Sequence, residues 1–209
     1  TRNVITHNEV GVFYNELDNS DFGSVIANDN GALSVGAYGW HGNNALSLLR
    51  KAYSISNAEI SRVALSYSNT GRKVIAAITN GSDWSSYVPD SYTCSCIKAM
   101  LLTNAGIEAQ NQTSTENAEE YIAICQENNI NDKRAIVYCA DILNQFGTGS
   151  FDKNVYGNGH NGVLYGVSNA TLDSVYSSKR AWSDSNYSYE TRRKWTYDYL
   201  KGLSDTDFS

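Results

Sequence analysis

The stretch Val25–Gly42, VIANDNGALSVGAYGWHG, decides how the rest of the chain is read. It places Asn28-Asp29-Asn30-Gly31 ahead of Gly36, Gly39, Trp40, His41 and Gly42. Such a run is poor helix material and poor core material. Alternating residues broken by dense turn formers predict a small β-element around Phe22 to Gly36. The glycines allow close approach to the backbone.

The flanking sequence is helical. Gly42–Tyr53 (GNNALSLLRKAY) carries Ala45, Leu46, Leu48, Leu49 and Ala52 at helical spacing, with Asn43 or Asn44 expected as cap. Asn57–Tyr67 repeats the signal with Asn57 as cap, and Arg72–Ile78 adds a further piece. Ser91–Ala105 predicts a buried helix stopped by Gly106. Thr115–Asn128 opens on a Thr cap and sets Ala118, Tyr121, Ile122 and Cys125 on one stripe. Asp132–Phe146 predicts a long apolar helix stopped by Gly147. Val4–Tyr14 opens the helical set, and Thr171–Trp182 and Tyr189–Leu203 close it. Gly147–Gly166 reads as a loop, and the SDTDFS tail as frayed. No internal repeat or Pro/Ser linker divides the chain. The expectation is one mainly α-helical domain over residues 1–209, with a small β-element or irregular Gly-rich segment.

Composition narrows the function. A length of 209 residues with 41% hydrophobic content supports a real core. A net charge of −6 argues against nucleic acid as a partner, because phosphate binding needs a basic surface. No apolar run is long enough for a membrane span, so no membrane partner is expected. The chain does not begin with Met and shows no signal peptide, which predicts a processed chain or an excised domain. Fifteen Tyr and four Trp stand beside only 18% charged residues. That mixture suits a carbohydrate cleft, where sugar faces stack on rings, as well as an ordinary core.

Cys94-Ser95-Cys96 is too tight for a zinc knuckle and the three His are scattered, so no metal and no cofactor are expected. Cys125 and Cys139 lie in apolar helical patterns and read as buried thiols. The absence of G-x-S-x-G leaves no hydroxyl-nucleophile triad.

Carboxylates supply the remaining chemistry. Glu9 falls near the end of the first helix, Glu16, Asp18 and Asp21 follow, and Asp29 sits on the Gly-rich turn. Glycoside hydrolysis needs two such groups, one holding a proton and one staying ionised. A helix-end Glu suits the first role, and an Asp on a polar turn suits the second.

The quoted stretch resembles a known family. NEVG (Asn8–Gly11) followed by NDNGALSVGAYGWHGNNALSLLR (Asn28–Arg50) is similar to the catalytic region of lysozyme-like peptidoglycan hydrolases of phage lysins and bacterial autolysins. A more distant similarity is to the chitosanase branch of that superfamily. IVYCADILNQFG (Ile136–Gly147) resembles a later cleft helix of these enzymes, and YETRRKWTYDYL (Tyr189–Leu200) their closing Arg-Arg helix.

The resemblance implies a lysozyme-like fold and cleavage of the peptidoglycan glycan strand by a monomer acting on the cell wall, secreted or phage-delivered. Glu9 would be the general acid and Asp29 the base. The spacer VFYNELDNSD (Val12–Asp21) is longer than in many relatives, which makes Glu16 the alternative acid. Gly39 stands where relatives commonly carry Gln.

Substrate-side candidates are Ser34, Trp40, His41, Tyr138, Asp141, Asn144 and Gln145. Trp40 reads as either a stacking wall or a core residue, and His41 as a substrate contact or a brace for the turn. Asp141 and Asn144 share a helix face with Tyr138. Arg192 and Arg193 are expected to pair near Asp198. Chitosan hydrolysis, lytic transglycosylation and non-catalytic wall binding stand as alternative activities.

Overall fold

The computed structural model describes residues 1–148, 155–156, 160–164, 166–179 and 189–208. The chain is mainly helical and carries a small three-stranded sheet. It divides into two compact units, Glu9–Glu116 and Thr1–Asn8 with Asn117–Ser209. They are called the sheet unit and the terminal unit below. The dividing points fall inside two helices, α1 (Arg2–Val10) and α7 (Asn104–Glu127).

In the sheet unit, β1 (Val25–Asp29) pairs antiparallel with β2 (Ala32–Val35), which pairs antiparallel with β3 (Trp40–His41). The β-element expected around Phe22–Gly36 is therefore present and extends to His41. Asn30 and Gly31 form the β1–β2 turn with φ of 51° and 96°, a conformation Asn and Gly adopt at low cost. Residues 32–38 are all buried, so β2 packs on both faces.

Behind the sheet lie α3 (Asn43–Ile55), α4 (Asn57–Leu65), α5 (Ser68–Thr79) and α6 (Ser91–Leu101). Ala45, Leu46, Leu48, Leu49 and Ala52 of α3 are buried, as their spacing predicts. Ile60 and Ala64 of α4 and Ile97, Met100 and Leu101 of α6 complete this core.

Several helix ends differ from the sequence expectation. Gly42, not Asn43 or Asn44, occupies the α3 N-cap. Asn43 instead anchors the following loop, donating to Asp83 at 2.9 Å and accepting from the Trp84 N–H at 2.7 Å. Ser56, not Asn57, caps α4, its hydroxyl accepting from the Glu59 N–H.

Gly106 is not a stop. Helix α6 ends at Leu101, and α7 starts at Asn104, capped by the Thr103 hydroxyl on the Gly106 N–H at 2.9 Å. A Cβ at Gly106 would lie 2.4 Å from the Met100 carbonyl oxygen, so the glycine serves close approach. Thr115 lies inside α7 rather than at a cap, and its hydroxyl donates back to the Asn111 carbonyl.

The terminal unit is built on α8 (Lys133–Phe146), α9 (Leu172–Lys179) and α10 (Glu190–Gly202), with a short ribbon of β4 (Val155–Tyr156) and β5 (His160–Asn161). Asp132 caps α8 by accepting from the Arg134 and Ala135 N–H groups, and Gly147 ends it with φ of 71°. Cys125 and Cys139 are buried free thiols beside Ile136, Ile142 and Leu143. Most of the expected Gly147–Gly166 loop, and the expected last helix turn beyond Lys179, lie outside the described residues. The tail is not frayed: Asp205–Phe208 form a 3-10 turn, Asp205 pairs with Arg134 at 2.7 Å, and Phe208 packs against the core.

Gly36 is the tightest point of the sheet. Its φ is 74°, and a Cβ there would lie 2.5 Å from Gln110 Oε1 and 2.8 Å from the Trp40 ring. Gln110 is itself buried, its Oε1 accepting from the Ala37 N–H and its Nε2 donating to the Phe22 carbonyl. Gly36→Ala is expected to cost about 1–3 kcal/mol through overpacking and backbone strain. Urea denaturation of the variant beside the wild type measures this.

Candidate active site

Glu9 is the penultimate residue of α1 and is half-buried. Gly11, with φ of 87°, turns the chain away directly after the helix. The Glu9 carboxylate lies against Gly39, on the side where any other residue would carry its Cβ. A Cβ at Gly39 would stand 2.7 Å from Glu9 Oε2 and 3.3 Å from its carboxyl carbon. The φ of Gly39 is 64°, so both the contact and the backbone conformation favour glycine. The helix-end acid is thereby seated on the turn that leads from β2 into β3.

Asp29 ends β1 at the opposite end of the β1–β2 ladder from Val25. It is half-buried and held by its neighbours. Ser34 Oγ donates to Asp29 Oδ2 at 2.7 Å, and Asn30 Nδ2 donates to Oδ1 at 3.1 Å. His41 Nε2 lies 2.8 Å from the Asp29 carbonyl oxygen. A carbonyl can only accept, so His41 carries a proton on Nε2. His41 thus braces the turn that presents Asp29, and Ser34 fixes the carboxylate itself. Both were singled out in the sequence, and the strand register explains them: Ser34 pairs with His41 across β2 and β3.

Trp40 resolves to the core alternative. It is 6% exposed, stacks on Tyr38 at 5.3 Å between ring centroids, and meets Gly36. A ring so covered has no open face for a sugar.

Glu16 is exposed, on the 3-10 turn Tyr14–Glu16. Its Oε2 accepts from the Phe13 N–H at 3.4 Å, which closes that turn on itself.

Beside Glu9 lies a groove of about 400 Å³, bordered by Asp21, Ser24, Cys94, Ser95 and Lys98. This size falls in the usual range for small-ligand clefts, about 300–1,000 Å³. The sequence reading missed its α6 wall. No local pattern links Cys94 or Lys98 to an acid some ninety positions upstream. Cys94 is the only cysteine of the four that is not buried, and burial together with Asp90 pushes its thiol pKa up.

The remaining candidates belong to the terminal unit. Asp141 and Tyr138 are fully buried, which corrects their reading as substrate contacts: neither exposes a polar atom. Asp141 accepts from Arg192 at 2.7 Å and from Arg193. Arg193 also donates to Gln145, and the Tyr121 hydroxyl approaches Asn144 Oδ1 at 3.5 Å. Arg192 and Arg193 do make structural ion pairs, as expected, but their partner is Asp141, while Asp198 pairs with Lys194. Burial would raise the Asp141 pKa, but the two guanidiniums outweigh it and hold the carboxyl below its ordinary value.

Among the described residues, no group of three or more His, Cys, Asp or Glu is arranged to hold a metal. No described helix is long and apolar enough to cross a membrane.

The depressed Asp141 pKa fixes a pH dependence. The stability it contributes is fully present above the unfolded carboxylate value of about 3.9 and is lost as pH falls through the lower folded value. Asp141→Asn should destabilise the chain by about 3–5 kcal/mol at neutral pH, because it leaves two guanidiniums without their counter-charge. It should also weaken the loss of stability below pH of about 4. Denaturant titrations from neutral to acid pH on both proteins test this, and parallel curves would refute it.

No protein-family model, no curated protein and no solved structure matches this chain.

Proposed function

We propose that this chain is a lysozyme-like glycoside hydrolase that cuts the glycan strand of bacterial peptidoglycan, between N-acetylmuramic acid and N-acetylglucosamine. The observation that carries this reading is the seating of two carboxylates on one small sheet. Glu9 rests on Gly39 at the entry to β3, and Asp29 ends β1 under the Ser34 hydroxyl. A helix-end acid and a strand-end acid, held separately by the same sheet, suit the division of labour that glycosidic cleavage needs.

Glu9 is the general acid. Its carboxyl proton passes to the glycosidic oxygen as the bond to the anomeric carbon breaks. Asp29 is the base: it takes a proton from the water whose oxygen bonds that carbon. One water is consumed, one reducing end appears, and the two carboxyl groups have exchanged protonation states. Ser34 keeps the Asp29 carboxylate oriented, and His41 keeps its turn in place. The reaction requires no cofactor. The working location is the bacterial wall, and the acting species is a monomer.

Glu16 is the less suitable acid, because it is exposed and its carboxylate is engaged with its own turn.

Purified wall glycan, digested by the full chain and resolved by mass spectrometry, tests the reading. Hydrolysis gives N-acetylmuramic acid at new reducing ends, whereas transglycosylation gives the anhydro form. Chitosan run in parallel reports the alternative substrate. Glu9→Gln should lower kcat by about 10²–10⁴-fold, the usual range for removing a general acid. Asp29→Asn should also lower it strongly, and Glu16→Gln should leave it unchanged. Uncut glycan with wild-type protein, or full activity in Glu9→Gln, would refute the assignment.

A smaller change probes the seat of the acid. Gly39→Ala should lower kcat by about 10²-fold while leaving Asp29 in place, because a Cβ there displaces the Glu9 carboxylate.

A further inference from the structure

We propose that the cavity between α5 and the start of α6 is a second binding site, and that it takes an amino acid or short peptide with free termini and an apolar side chain. The site is independent of the hydrolase reading of Glu9. Among the described residues, it shares no lining residue with the groove beside Glu9.

The cavity measures about 640 Å³, within the usual range for small-ligand sites, about 300–1,000 Å³. Val74 and Ala77 of α5, with Tyr87, Val88 and Pro89 of the loop before α6, give it an apolar lining. Its walls are preformed. Trp84 is buried and stacks on Tyr87 at 4.8 Å between ring centroids. The Trp84 N–H donates to Asn43 Oδ1, and the Tyr87 carbonyl accepts from the Leu33 N–H at 2.8 Å. The loop is thus pinned to α3 and β2, so a ligand meets a wall that needs little ordering.

Large hydrophobic side chains remain in water beside this lining. Val88 is 47% exposed, and Tyr92, next to the lining residue Thr93 in the first turn of α6, is 52% exposed. They are two of the four large hydrophobics left exposed among the described residues. Covering them gives an incoming apolar side chain its driving force.

Three charges border the same space: Lys73, Asp83 and Asp90. Asp83 is held in place by Asn43 Nδ2 and the Ser85 N–H, each at 2.9 Å. Asp90 caps α6 by accepting from the Thr93 N–H at 2.7 Å. The Thr93 N–H and hydroxyl hold the Asp90 carboxyl below its ordinary pKa, and the Lys73 ammonium on α5 adds to this, so the two charges lie close together. A carboxylate has about four acceptor positions, so these bonds leave room for a further donor.

The combination selects one ligand chemistry. A sugar stacks on an open ring face, but Trp84 is buried and covers one face of Tyr87. A fatty acid or other anion meets two carboxylates. A simple amine leaves Lys73 without a role. A zwitterion uses all three charges: its ammonium goes to Asp83 and Asp90, its carboxylate to Lys73, and its apolar side chain to the Val74–Val88 lining.

NMR titration of the full chain with leucyl-leucine tests this, beside N-acetyl-leucyl-leucine, leucyl-leucine amide, glycyl-glycine and free leucine. Leucyl-leucine should shift the amide signals of Val74, Tyr87 and Val88. Blocking either terminus should raise Kd about twofold to fivefold, as expected of solvent-accessible ion pairs. Glycyl-glycine should bind about tenfold or more weakly, having no side chain to bury. Lys73→Gln should bind the free and amidated dipeptides alike. Asp90→Asn, in which Asn keeps the cap of α6, should reduce the effect of acetylation. Ala77→Trp should fill the cavity and abolish the shifts. If free leucine binds as tightly as the dipeptide, the ligand is a single amino acid; if it binds more weakly, the ligand is a peptide.

Absence of shifts at the cavity, or equal Kd values for the free and blocked dipeptides, would overturn the proposal. So would retention of the effect of amidation in Lys73→Gln. None of these outcomes depends on whether the chain cuts glycan.

Discussion

The Glu9 carboxylate lies against Gly39 on the turn that joins β2 to β3, at a position whose positive φ favours glycine. The missing Cβ leaves room for the carboxyl, and the positive φ directs the backbone into β3. From that point the strand register does the rest. Trp40 pairs with Val35 and His41 with Ser34, so His41 reaches the Asp29 carbonyl while Ser34 reaches the Asp29 carboxylate. One steric condition at Gly39 and one ladder thus hold both acids. Gln110 secures the other side of the same turn by taking the Ala37 N–H and filling the space beside Gly36.

Four acids of this chain sit in different environments. Asp141 is fully buried between two arginines, whose charges hold its carboxyl below the ordinary value. Such a group holds helices together and has no path to a substrate. Glu16 is the opposite case, exposed and closing a turn of its own. Glu9 and Asp29 lie between these extremes, half-buried and each positioned by a neighbour that constrains it without covering it. That intermediate condition suits the proposed acid–base pair, because such a group must be both oriented and reachable.

Much of this was legible in the sequence wherever the determining interactions were local. The α3 stripe, the Gly147 stop and the Asn-Gly turn depend on residues a few positions apart, and they fold as read. Expectations failed where a distant partner took over a residue whose local signal was ambiguous. Asn43 is a good cap residue, but Asp83 and the Trp84 N–H claim its amide. Gly106 looks like a stop, yet its lack of a side chain serves the approach of α6 to the start of α7. Arg192 and Arg193 lie close to Asp198 in sequence, but a carboxylate fifty positions upstream holds them. Within the candidate site, Glu9 at a helix end and Asp29 on the Gly-rich turn were read from their flanks. The seat at Gly39 and the Lys98 wall were not, because both join segments that only the fold brings together.

The spacer between NEVG and the Gly-rich stretch, where the sequence left Glu9 and Glu16 as alternative acids, is closed on itself by local hydrogen bonds. Residues Val12–Asp21 fold into two short self-capped turns. In the first, Phe13 and Glu16 close Tyr14–Glu16. In the second, Asp18 accepts from the Ser20 and Asp21 N–H groups while Asp21 accepts from the Asp18 N–H. The Ser20 hydroxyl and these N–H groups hold the Asp18 carboxyl below its ordinary pKa, so the cap stays ionised at neutral pH. The Tyr14 hydroxyl ties the first turn to Asn111 of α7 at 2.7 Å, and Gly23 packs the end of the second onto Leu102. These residues are therefore held by local hydrogen bonds before β1 begins. Glu9 remains at a helix end and Asp29 at a strand end, and the acids within the spacer are spent on holding its own turns.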